Sequence, residues 1–155
     1  MRVAIGADHA GFPLKERVKS ELLRLGHQVE DVGTASAELS VDYPDFAIPV
    51  GEAVAEGRAD RGVVLCATGI GAAISANKVE GVRAAVVTSD ETARLTRNDN
   101  DSNVLAMGGR TTPDYDDALR WLRVWLETPF AGGRHERRVN KIRDYEAHHR
   151  TPTQG

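Results

Sequence analysis

Cys66-Ala67-Thr68-Gly69-Ile70-Gly71 sets a lone thiol at the end of an apolar run, with two glycines just before a segment of helical period. Glycine lets backbone N–H groups approach a ligand closely, and a helix N-terminus favours both an anion and a thiolate. That arrangement could hold a developing oxyanion beside a reactive sulfur. A buried structural cysteine followed by a glycine turn is the competing reading. Two nucleotide readings fail here: no Gly-Lys-Ser/Thr follows, and Gly69-Ile70-Gly71-Ala72-Ala73-Ile74 lacks the third small residue of a dinucleotide fingerprint. Elsewhere, Asp8-His9 and Gly108-Gly109-Arg110 also follow short apolar runs. Arg134 and Arg138 stand four apart and so share one helix face, with guanidinium forks that match phosphate oxygens. Segment 134–150 holds six Lys/Arg and three Asp/Glu, which would equally describe a solvated helix.

These residues need elements to position them. Val3–Gly6, Gln28–Val32, Gly62–Cys66, Val82–Val87 and Asn103–Met107 are strand-length, and several are apolar without alternation, as in a parallel sheet covered on both faces. Between them, Leu14, Val18, Leu22 and Leu25 form one helical stripe that Gly26 closes. A second helix is expected after Asp42-Tyr43-Pro44, with Phe46, Val50, Ala53 and Val54 inward and Gly57 as its stop. Two more run from Gly71 to Asn77 and from Asp90 to Arg97. Thr112-Pro113 reads as an N-cap and first-turn proline for a helix carrying Leu119, Leu122, Trp125 and Leu126. Gly132-Gly133 precedes a last helix carrying Val139, Ile142 and Tyr145. The fold class is α/β, a Rossmann-like three-layer sandwich around a five-stranded parallel sheet. In such sheets ligands bind at the carboxyl ends of the strands, so the clusters after the first, third and last strands should converge on one cleft. Residues 1–147 are expected to form one domain and 148–155 a mobile tail.

Composition narrows the function classes. The chain has 155 residues, 41% hydrophobic and 28% charged, with a net charge of −3. Duplex binding would call for a basic footprint, so nucleic acid is not an expected partner. No apolar stretch approaches the roughly 20 residues that span a bilayer, and none reads as a signal sequence, which points to a cytoplasmic protein without a membrane partner. One cysteine rules out an internal disulfide, and no ligand cluster of recognisable spacing suggests a metal.

Six motifs in order carry a family resemblance: Asp8-His9-Ala10-Gly11, Asp42-Tyr43-Pro44, Cys66 to Gly71, Ala76-Asn77-Lys78, Asn100-Asp101-Ser102-Asn103-Val104 and Gly132-Gly133-Arg134-His135. Together they resemble ribose-5-phosphate isomerase B, whose family includes the galactose-6-phosphate isomerases. The resemblance implies cofactor-free aldose–ketose isomerisation of a phosphorylated sugar, in a homodimer with shared active sites or in a tetramer. By position, Cys66 resembles the carbon base, Thr68 the relay between substrate oxygens, and the backbone of Ala67, Thr68, Gly69, Ile70 and Gly71 the oxyanion cradle. Another branch of the family uses a glutamate near the position of Ser75, so Ser75 favours the cysteine. His9, Arg110, Arg134 and Arg138 align with phosphate-holding positions, and Asp8 and Tyr43 with residues that contact sugar hydroxyls. The likeness also puts Asp99, Asn100 and Arg110 across a subunit interface from Cys66.

One position departs from the pattern. The family usually has a histidine credited with opening the furanose ring where this chain has Asp99, and a carboxylate is a poor proton donor at neutral pH. Ribose 5-phosphate is the first substrate expected. An alternative is a tetrose 4-phosphate, erythrose or erythrulose 4-phosphate, which cannot close a furanose. A non-catalytic nucleotide-binding module is the third reading.

Overall fold

The computed structural model describes residues 1–149. Strands β1 (Arg2–Ala7), β2 (Gln28–Asp31), β3 (Arg61–Cys66), β4 (Ala84–Val86) and β5 (Val104–Gly108) are connected through helices α1 (Phe12–Arg24), α2 (Pro44–Ala55), α3 (Ile70–Ala76) and α4 (Asp90–Asn98). Helices α5 (Tyr115–Glu127) and α6 (Arg134–His148) follow β5. All pairings are parallel and the strand order is β2-β1-β3-β5-β4. The chain thus winds outward in opposite directions from β1 and β3, which opens a crevice outside their carboxyl ends.

Strand alternation divides the core into two layers. Val3, Ile5, Val63, Leu65, Leu105 and Met107 meet Leu14, Val18 and Leu22 of α1 and Leu119, Leu122 and Trp125 of α5. Ala4, Val64, Cys66, Val104 and Ala106 face α2 and α3. That second face is built from small side chains, and a Cβ on Gly62 would lie 2.5 Å from Val50 Cγ1, so α2 sits close against the sheet. Each buried Leu or Val contributes about 1.5–3 kcal/mol, which makes these stripes the main source of fixity for the strand ends. Ser102 accepts the Trp125 indole N–H at 2.8 Å. The Arg61 guanidinium stacks 5.1 Å from the Trp125 ring centroid and donates to the Trp125 carbonyl at 3.0 Å, while burial pulls its pKa down to about 10.

Helix ends follow local chemistry. Gly26 closes α1 at φ +89°, a conformation that lets the N–H groups of Gly26 and His27 reach the carbonyls of Leu23 and Leu22. α5 starts later than Thr112-Pro113 suggests: Asp114 is the cap, its carboxylate accepting from the Asp116 N–H at 2.9 Å, and Thr112 is buried before it. α6 buries little of its length. Only Val139 is buried, while Ile142 and Tyr145 are 48% and 65% exposed, because α6 lies along the amino edge of the sheet and not in either layer. His148 is still helical; residues 150–155 of the expected tail lie outside the described residues. Among the described residues no helix is long and apolar enough to cross a membrane.

Candidate active site

At the carboxyl end of β1, buried Asp8 accepts the Gly11 N–H at 2.9 Å, which turns the chain into α1. The loop presses against β3, since a Cβ on Gly11 would lie 2.4 Å from the Leu65 carbonyl oxygen. His9 is half-buried, and its Nδ1 accepts the Val41 N–H at 3.1 Å. A neutral His9 ring therefore carries its proton on Nε2.

At the end of β3, the strand's period of two places Cys66 on the α2/α3 face with Gly62 and Val64. The residue is 4% exposed. Gly69 adopts φ +80° and donates its N–H to Cys66 Sγ at 3.2 Å; Ile70 donates to Thr68 Oγ1 at 3.1 Å. Two amides of the expected oxyanion cradle are thus engaged by the loop's own acceptors. Tyr43, at the N-cap of α2, covers Gly71 so closely that a Cβ there would lie 2.6 Å from the ring. The end of β5 is laced to the same loop, with Gly109 donating to the Cys66 carbonyl at 2.8 Å and Arg110 to that of Ala67 at 3.0 Å. Asp8, His9, Tyr43, Cys66, Ala67, Thr68, Gly69, Ile70, Gly71 and Arg110 therefore gather at one edge of one chain.

Asp99, Asn100, Arg134 and Arg138 do not join them. α4 starts at the carboxyl end of β4 and runs back, so its C-cap, Asp99, lies near the amino end of β5. Arg83, just before β4, donates to the carbonyls of Asn100 and Asp101 at 3.0 and 2.9 Å. α6 begins beside them: the Ala131 N–H donates to the Asn98 carbonyl at 3.1 Å, and His135 Nε2 lies 3.5 Å from Asp99 Oδ1. The length of β5, roughly 13 Å at about 3.3 Å per residue, separates this edge from Cys66. The clusters after β1, β3 and β5 do converge on one cleft, while Asp99, Asn100, Arg134 and Arg138 lie at the opposite end of the sheet. Arg110 is on the Cys66 side, which corrects its expected placement with Asp99 and Asn100.

The sequence pattern of the Ribose/Galactose Isomerase family matches residues 3–142. The chain belongs to this isomerase family. It is 43% identical to ribose-5-phosphate isomerase B of Escherichia coli over 91% of this chain and 93% of that one. Among solved structures, ribose-5-phosphate isomerase B of Clostridium thermocellum superposes with a TM-score of 0.93 at 47% identity, covering 97% of this chain and 100% of that one. That of Mycoplasma genitalium, with bound ribulose-5-phosphate, gives 0.90 at 37%, covering 94% and 96%. The chain is thus a sugar-phosphate isomerase with the family's Rossmann-like fold.

Sequence reasoning missed the groups that shape the isomerase's amino edge. Asp101, at φ +48°, takes the buried Arg97 guanidinium at 2.8 Å and lies 3.5 Å from that of Arg83 and 3.7 Å from that of Arg143. Arg97 also donates to the Ser102 carbonyl. The spacing of Arg97 and Asp101, four apart across a helix end, was the one available signal. Among the described residues no group of three or more His, Cys, Asp or Glu side chains is placed to hold a metal.

Proposed function

We propose that this isomerase interconverts ribose 5-phosphate and ribulose 5-phosphate through an enediolate, with Cys66 as the carbon base. The observation that carries this reading is the position of Sγ, at the crevice end of β3 beneath a glycine loop and in contact with the Gly69 N–H. Burial strips most water from around the sulfur, which strengthens its contact with the Gly69 N–H and with a bound substrate. Sγ takes the proton from C2, the C–H electrons form the C1=C2 bond, and the carbonyl oxygen becomes an oxyanion. Thr68 Oγ1 moves the proton between O1 and O2, and the thiol returns its proton to C1. Ile70 N–H exchanges Thr68 Oγ1 for the oxyanion at that moment, adding to the other loop amides.

Phosphate binding completes the scheme. His9 and Arg110 lie on the Cys66 edge, whereas Arg134 and Arg138 lie on the opposite edge, so we infer a homodimer in which each site takes Arg134, Arg138, Asp99 and Asn100 from the second subunit. The split between the two edges supports this, since one chain cannot assemble the set. Asp8 and Tyr43 contact sugar hydroxyls. No cofactor or metal enters any step.

A second reading rests on Asp99: without a histidine there, an open-chain tetrose 4-phosphate loses less than a cyclic pentose. A coupled assay of the purified protein with ribose 5-phosphate and with erythrose 4-phosphate tests both. Higher kcat/KM on the pentose supports the first reading, higher kcat/KM on the tetrose supports the second, and turnover of neither defeats both.

A further inference from the structure

We infer that His135, held by Asp99, is the acid that opens the ring of a cyclic sugar phosphate. This rests on the isomerase reading above and names a group for a step which that reading leaves without one. His135 lies in the first turn of α6, mostly buried, with Nε2 3.5 Å from Asp99 Oδ1. The pair is fixed by more than that contact. Asn98 Nδ2 donates to the same Asp99 oxygen at 2.8 Å, the Ala131 N–H donates to the Asn98 carbonyl, and the His135 N–H donates to the Gly132 carbonyl at 3.1 Å. Gly132 and Gly133 both adopt positive φ, which turns the chain sharply enough to bring the start of α6 back onto the end of α4.

The chemistry of a furanose 5-phosphate matches this placement. Only O5, C5 and C4 stand between the phosphorus and the ring oxygen, so an acid that protonates that oxygen belongs beside the phosphate clamp and away from Cys66. Arg134 and Arg138 flank His135 on the first turns of α6. Of the polar groups on this edge, arginine holds its proton and asparagine has none to give, while an imidazole exchanges one near neutral pH. With Nε2 turned to Asp99, Nδ1 carries the proton that is transferred. The C1–O4 bond breaks with its electron pair leaving on O4, which takes the proton from Nδ1. The C1 hydroxyl becomes the carbonyl and gives its proton to water, from which the imidazole is reprotonated. Asp99 is a positioning residue in this scheme: it orients the ring and balances the imidazolium charge.

A comparison of cyclic and acyclic substrates on the dimeric enzyme tests the inference. Ribulose 5-phosphate cannot close a furanose because its fifth oxygen is esterified, so its C1 proton exchange with deuterated solvent bypasses ring opening. His135→Asn should lower kcat/KM for ribose 5-phosphate by roughly 10²-fold while keeping that exchange within about twofold of wild type. Asp99→Asn should show the same selectivity at roughly tenfold. If asparagine disturbs the start of α6, His135→Gln reads the same ratio. Equal losses on both substrates would return His135 to phosphate binding or structure and overturn the inference. A wild-type enzyme inert toward both sugars would instead defeat the isomerase reading on which it rests.

Discussion

The Gly69 N–H donates to Cys66 Sγ at 3.2 Å, and the left-handed conformation of Gly69, φ +80°, then turns the chain from the strand into the helix. A Cβ at Gly69 would lie 2.9 Å from the backbone of Met107, which cannot yield, whereas one at Gly71 would meet the far end of the Tyr43 ring, which can swing away. Gly69→Ala should therefore cost at least about 1–2 kcal/mol of stability, the usual penalty of a left-handed non-glycine residue, and most of the activity. Gly71→Ala should fold nearly normally and raise KM by moving Tyr43. Thermal unfolding and steady-state kinetics on the two variants separate these effects, and equal melting temperatures would contradict the contrast.

Cys66→Ala removes one buried heavy atom, at a cost of about 1 kcal/mol, so the fold should survive. Solvent-deuterium incorporation at the reacting carbon should disappear while phosphate binding, measured by calorimetry with a substrate analogue, stays close to wild type. Incorporation that persists would move the base to another residue, with Asp8 and Ser75 the next to replace.

Much of this molecule can be read from apolar spacing. The stripe Leu14, Val18, Leu22 and the continuous run Val63-Val64-Leu65 identify α1 and β3 directly, because the first demands one buried face and the second two. The Cys66 loop is equally legible, since glycines after a strand have few other uses. What spacing does not convey is direction across the fold. Arg110 and Asn100 both stand near β5 in sequence, yet one follows it and the other precedes it, so they lie at opposite ends of the sheet. Ile142 and Tyr145 have helical spacing with Val139 but remain exposed, because periodicity reports a stripe and not what covers it.

Acid should weaken the α1–α5 contact. Arg24 and Arg123 both donate to the Glu21 carboxylate, and the Arg24 hydrogen bond is the main cause that holds its pKa down at about 2. A carboxylate whose folded pKa lies below its unfolded value stabilises the fold above that unfolded value and loses the contribution as pH falls from about 4.5 toward 2. Exposure of both arginines screens the interaction, which leaves about 1–2 kcal/mol. Wild type should exceed Glu21→Gln in stability at pH 7, and urea titrations of the two should converge near pH 2. A constant gap across that range would show that Glu21 contributes by packing and not by charge.

Separation of the two edges gives a direct test of shared sites. If each site takes Cys66 from one subunit and Asn100 and Arg134 from the other, Cys66→Ala and Asn100→Ala homodimers are both inactive, yet a heterodimer of the two has one site with neither change. Random reassortment makes half of the dimers mixed, each with one intact site of two, so an equimolar mixture should recover about a quarter of wild-type activity. The same recovery should follow when Arg134→Ala replaces Asn100→Ala. Arg134→Ala alone should weaken substrate binding by about 1.5–3 kcal/mol, the range for hydrogen bonds to charged groups. Mixing Cys66→Ala with His9→Ala, whose residues lie on the same edge, should restore nothing, because each site of the mixed dimer then carries one of the two changes. Asn100→Ala with Arg134→Ala should likewise restore nothing. The decisive case is the doubly substituted Cys66→Ala/Asn100→Ala chain mixed with wild type. With shared sites each mixed dimer loses both of its sites, so equimolar mixing leaves about a quarter of the activity. With independent sites about half remains. Retention of half would place every catalytic group within one chain.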